Sequence, residues 1–176
     1  QAIARARLRL QLNPRLSVRL VVQYNDSRSP FFQELAAGGD YPDNPRRYAF
    51  LCAAALEYAA QSADRYDILH GHDWQAGLAP AYLRYGPATT VKTVLTIHNI
   101  AFQGIAPAQK LGLLRLPAWA FSAEHLEYYG SLSTLKAGLV TADAITTVSP
   151  TYAEELMRPE FGMGLEGVIA ARAEDL

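Results

Sequence analysis

The sequence predicts an α/β fold, a parallel sheet flanked by helices. Three observations carry that expectation. Short runs rich in β-branched and apolar residues recur along the chain at 18–24 (VRLVVQY), 66–70 (YDILH), 91–97 (VKTVLTI) and 144–148 (AITTV). Helical runs lie between the later ones, and a capping residue followed by proline opens two of the helices, at Asn44–Pro45 and at Ser149–Pro150. Strands that alternate with helices build parallel βαβ units with right-handed crossovers.

Taken in order, residues 2–12 mix alternating apolar positions with helix-favouring residues and leave their type open. Residues 25–43 form a long polar loop interrupted by Phe31 and Phe32, and loops of that length in a small domain are often functional. Tyr48, Leu51, Leu56 and Ala59 then mark the apolar stripe of a helix opened by Asn44. After the strand at 66–70 a helix is expected over 75–85, with a kink at Pro80, which has no N–H for the carbonyl four residues back. Residues 107–121 hold short apolar segments broken by Gly112 and Pro117, and 132–142 read as a helix.

Composition excludes several classes. Sixteen basic residues against seventeen acidic leave no excess charge for nucleic acid or an anionic membrane. No apolar run approaches the roughly 20 residues of a membrane span. The amino end has arginines but no apolar segment of the secretory type behind them. Cys52 is the single cysteine and is expected to be a buried structural thiol. These features fit a soluble intracellular protein, and both ends read as cut from a longer chain.

Chemistry concentrates in DILHGHDWQ, residues 67–75, where a strand ends in a polar corner and a helix follows. Open α/β sheets bind ligands at the carboxyl ends of their strands. The strand at 91–97 ends in His98–Asn99, and successive strands tend to be neighbours, so His70, His72, Asp73, His98 and Asn99 are expected in one cleft. A metal site would extend His-x-His to His-x-His-x-Asp-His, but the residue after Asp73 is Trp74 and the pattern fails. No Gly-x-Ser-x-Gly elbow and no strand followed by Gly-x-Gly-x-x-Gly occurs. Recognition of an uncharged, hydroxyl-rich ligand is then a natural use for the cluster, since carboxylate, imidazole and amide groups hydrogen-bond hydroxyls well. Structural readings stand beside this one. Asp73 either caps the following helix or faces the ligand. His70 reads as a core histidine, Trp74 as packing and Lys136 as a structural pairing residue, and His125 has no evident partner.

The blocks YPDNPRRYAF, HGHDWQAGLAPAYL, TVLTIHNIAFQG, SLSTLKAGLVTADAITTVSPTYAEEL and FGMGLEGVIAAR, in this order, resemble the glycogen and starch synthases over most of 41–172. The resemblance implies a Rossmann-like, N-terminal, acceptor-side domain of a GT-B glycosyltransferase, partial over 1–176, with the nucleotide-binding C-terminal domain outside it. It implies retaining transfer of glucose from ADP-glucose (UDP-glucose in some relatives) to the non-reducing end of an α-1,4-glucan such as glycogen, without a catalytic metal or other cofactor. His98 and Asp73 fall at the family's positions that contact the transferred glucose. Asn99 would support His98, with His72 and Gln103 as further substrate-binding residues. A cytoplasmic location follows, or a plastid for a plant source.

Departures from the family pattern are also plain. There is no Lys-x-Gly-Gly loop and no second Rossmann domain, and SRSPFFQELAAGGD at 27–40 has no clear equivalent of the family's sugar-contacting tyrosine. The 176 residues alone are therefore expected to be inactive. The rival reading is a glucan-binding module that keeps the fold without the chemistry. A sucrose-synthase-like enzyme is disfavoured by IHNIAFQG and SPTYAEEL.

Overall fold

A computed structural model describes the backbone of Ala4–Asn13 and Leu16–Tyr24, and residues 41–63 and 65–176 in full. The expectations for Phe31, Phe32 and the loop at 27–40 lie outside the described residues. Among the described residues the principal sheet has five strands: β1 (Ala4–Asn13), β2 (Leu16–Tyr24), β3 (Ile68–His72), β4 (Lys92–Ile97) and β8 (Ala144–Thr147), in the order β2-β1-β3-β4-β8. The strands β3, β4 and β8 are parallel, with His72 opposite Thr96 and Thr96 opposite Thr146.

The segment left open by the sequence is a strand, and it departs from the all-parallel expectation. The strand β1 runs antiparallel to both β2 and β3, with Leu10 opposite Leu69 and Arg9 opposite His70. Only Pro14 and Arg15 separate β1 from β2, far too few for the crossover a parallel neighbour requires. A small second sheet, β5 (Ile105–Pro107), β7 (Ser131–Ser133) and β6 (Glu127–Tyr128), is antiparallel and runs in the order β5-β7-β6.

Helix α1 spans Asn44–Gln61. Asn44 is its first residue and not its cap; Asp43 takes that place and binds Arg47 at 3.0 Å. The buried stripe runs through Ala49, Cys52 and Ala55, one position off the expected one, with Tyr48, Leu51 and Leu56 at its edges. Small residues sit at the centre because α1 lies close on its neighbours: the Cys52 thiol donates to the Gln75 carbonyl at 3.4 Å.

The helix expected over 75–85 begins two residues earlier and is divided into α2 (Asp73–Ala76) and α3 (Leu78–Tyr85). The interruption falls at Gly77, one turn before Pro80. Without an N–H, Pro80 cannot pair with the Ala76 carbonyl, and the missing bond shows where that carbonyl stands. Helix α4 spans Thr134–Thr141, later than the expected start, because Leu132 belongs to β7 and the Ser133 hydroxyl caps the helix by accepting from Lys136 N–H at 3.1 Å. Ser149 caps α5 (Pro150–Leu156) in the same way, accepting from Tyr152 N–H, and α6 (Glu166–Ala170) follows. Residues 108–120 carry two short 3₁₀ segments.

Leu69, Leu95, Ile97 and Ile145 share one face of the sheet and are closed over by Leu78, Leu135, Leu139, Leu156 and Ile169 from the helices. Each such side chain contributes about 1.5–3 kcal/mol relative to exposure. The opposite face carries His70, His72 and Val94, half-buried, Thr96, buried, and Thr146, exposed. The base of the β4–β8 pair is latched: Asp143 accepts from Thr93 N–H and hydroxyl, both at 2.8 Å, and returns its own N–H to the Thr93 hydroxyl. Burial works against the Asp143 carboxylate, yet these bonds and Lys92 outweigh it and hold its pKa below the ordinary value.

Candidate functional site

The site lies at the carboxyl ends of β3 and β4. The strand β3 ends at His72 in extended conformation, and the chain must enter a helix at the next residue. Asp73 makes that turn with φ +57°, a left-handed conformation that aspartate tolerates better than most residues. The turn sends its carboxylate across to β4, where Oδ1 accepts the backbone N–H of His98 at 2.7 Å. A carboxylate acceptor makes this a strong bond. The capping alternative is thereby excluded: Asp73 begins the helix itself, and its side chain serves the neighbouring strand end.

The imidazoles of His72 and His98 meet with Nδ1 of His72 3.1 Å from Nε2 of His98. Behind them, the His70 and His72 rings stack with centroids 4.4 Å apart, and His70 Nε2 bonds the Thr96 hydroxyl at 2.6 Å. Thr96 in turn bonds Thr146 at 2.6 Å, so a polar line crosses β3, β4 and β8. His70 is a satisfied histidine, as its place on the strand suggests. The structure brings His72, Asp73 and His98 into contact, and Asn99 follows His98 in the chain.

The loop after β4 is shaped by its own residues. The Asn99 side-chain oxygen accepts Ala101 N–H at 3.0 Å, an Asx turn. Tyr152 of α5 accepts Ile100 N–H at 3.0 Å, anchoring the loop from the far side. No spacing in the sequence singles out that tyrosine. Gln103 is buried and gives its amide N–H to the Met163 carbonyl at 2.9 Å, tying this loop to the turn before α6. It also lines a cleft of about 410 Å³ with Tyr41, Asn44, Trp74, Phe102 and Lys110. The Trp74 indole forms the wall of that cleft, packed edge-on against Tyr48 at 4.7 Å.

Lys136 is the structural pairing residue expected, and its partners are backbone: its ammonium donates to the carbonyls of Ala123 and Glu127 at 2.7 and 2.6 Å, and desolvation holds its pKa below the ordinary lysine value. His125 does have a partner, the Tyr85 hydroxyl 3.0 Å from Nδ1, beside Trp119. Among the described residues no group of three or more His, Cys, Asp or Glu side chains is placed to hold a metal ion.

With a carboxylate and an imidazole at adjoining ends of its parallel strands, the domain is of the open α/β class. The chain belongs to the starch synthase catalytic domain family, whose model matches residues 10–171. It is 60% identical over 140 residues to a glycogen synthase of Paracoccus denitrificans, covering 78% of this chain and 30% of that protein. A glycogen synthase of Rhizobium tropici is 55% identical over 155 residues, covering 87% and 32%. Among solved structures, the catalytic domain of starch synthase IV from Arabidopsis thaliana, bound to ADP and acarbose, superposes with a TM-score of 0.72 at 25% identity, covering 99% of this chain and 39% of that one. The chain spans about a third of the length of these curated relatives.

Proposed function

We propose that the chain is part of the N-terminal, acceptor-side half of a glycogen synthase that transfers glucose from ADP-glucose to the non-reducing end of an α-1,4-glucan with retention. The observation that carries this reading is the junction of Asp73 and His98 across β3 and β4. Asp73 Oδ2 and His98 Nδ1 have no partner among the described residues, so one carboxylate oxygen and one imidazole nitrogen remain for sugar hydroxyls. As the glycosidic bond to phosphate lengthens, positive charge grows at the anomeric carbon, and a fixed carboxylate stabilises it without reorganising. Family membership, the ADP and acarbose of the Arabidopsis neighbour and the glycogen synthase relatives support the donor and acceptor classes. Nucleotide contacts belong, on this reading, to a second domain, and the place of action to the cytoplasm. No helix among the described residues is long and apolar enough to cross a membrane.

The test is turnover of ADP-glucose with glycogen by the full-length protein. Asp73→Ala and His98→Ala should each lower kcat by about 100-fold or more while the fold is retained. The 176 residues alone should bind glucan at most and show no turnover. Glucan binding by the full-length protein with no ADP-glucose consumption would favour a non-catalytic module.

A further inference from the structure

We propose that His72 is a positioning residue for His98, fixing its ring so that Nδ1 is the edge offered to the sugar; this rests on the functional reading above. His98 is held at two points by consecutive residues of the neighbouring strand end. Asp73 takes its backbone N–H, and His72 meets its ring nitrogen Nε2 at 3.1 Å. Of two facing imidazole nitrogens one donates and the other accepts, and a neutral ring with one nitrogen committed has the role of the other determined. The contact with His72 thus sets both the rotation of the His98 ring and the hydrogen-bonding role of Nδ1, the nitrogen left without a partner among the described residues.

His72 is itself held. It stacks on His70 at 4.4 Å with 29° between the rings, and His70 is fixed by Thr96. Orientation therefore passes from the packed sheet through His70 and His72 to a residue that is exposed. Second-line support of this kind is what keeps a reacting group within the tolerance that catalysis demands, since an ångström of misplacement can cost about 100-fold. The sequence spacing follows from the strand: residues 70 and 72 point to one face and residue 73 turns away into the helix.

Two substitutions in the full-length protein separate hydrogen bonding from stacking. His72→Phe keeps a ring over His70 and loses the nitrogen. His72→Asn loses the ring but keeps a polar atom the same number of bonds from Cβ as Nδ1. With ADP-glucose and glycogen as substrates, Phe should lower kcat about 10- to 100-fold with KM for ADP-glucose changed less than about threefold. Asn should recover most of the rate. A near-native Phe variant with an impaired Asn variant would make His72 a stacking residue and overturn the inference. So would equal losses with a lowered Tm, or a loss confined to KM, which would put His72 on the ligand itself. His98→Ala is the control: near-native activity there would sink the functional reading, whereas an inactive His98→Ala beside a fully active His72→Phe would sink only the positioning role.

Discussion

Asp73 combines two properties few residues offer together, tolerance of φ +57° and an acceptor that reaches the His98 N–H. Asn shares both, so Asp73→Asn should cost less than about 1 kcal/mol of stability while removing the charge the chemistry uses. Asp73→Ala loses the acceptor and the left-handed tolerance together and should cost about 1–3 kcal/mol, measured by urea denaturation of the same protein. Cys52 makes a pH prediction. Burial pushes its thiol up to about 12 from a usual 9.0, outweighing the backbone bonds that favour the thiolate. A folded-state value above the unfolded one means the native state holds its proton longer. The stabilisation is full below pH 9 and is lost as pH rises toward 12. Cys52→Ser should flatten the fall in stability between these limits, and iodoacetamide should label native Cys52 only through unfolding.

At the scale of elements, the break between α2 and α3 lies where α4 crosses. A Cβ on Gly77 would collide with the carbonyl of Thr134, and one on Gly138 would stand 2.9 Å from Gly77 Cα and 2.8 Å from Leu95. Backbone on one side of each glycine cannot give way, so Gly77→Ala and Gly138→Ala should each lower Tm, at a cost of about 1–3 kcal/mol or more. That crossing was not legible in the sequence, where Gly77 and Gly138 stand inside two separately expected helices and no spacing joins them. Strands β4 and β8 and the cap of α5 were legible because β-branched runs and Ser-Pro are local signals that the tertiary fold leaves intact. The start of α4 was not, because pairing across β5, β7 and β6 took Leu132 for a strand. His125 failed for a related reason: Tyr85, its partner, is forty residues away, and no spacing rule joins them.

For the whole molecule, parallel neighbours β3 and β4 put the sequence-predicted residues at one edge, and that much was readable from strand–helix alternation alone. The roles within the edge were not. Whether Asp73 caps a helix or bridges strands depends on one backbone torsion, and whether His72 faces ligand or His98 depends on a rotamer. The Asp73–His98 bond joins partners twenty-five residues apart and exists only when β3 and β4 are side by side in the right register. An amide on an otherwise exposed histidine therefore becomes a clock. Its deuterium uptake should be slow in the native protein and approach the open-chain rate in Asp73→Ala. During refolding, pulse labelling should protect it only after the two strands align, dating the birth of the site separately from the burial of Leu95 and Ile145.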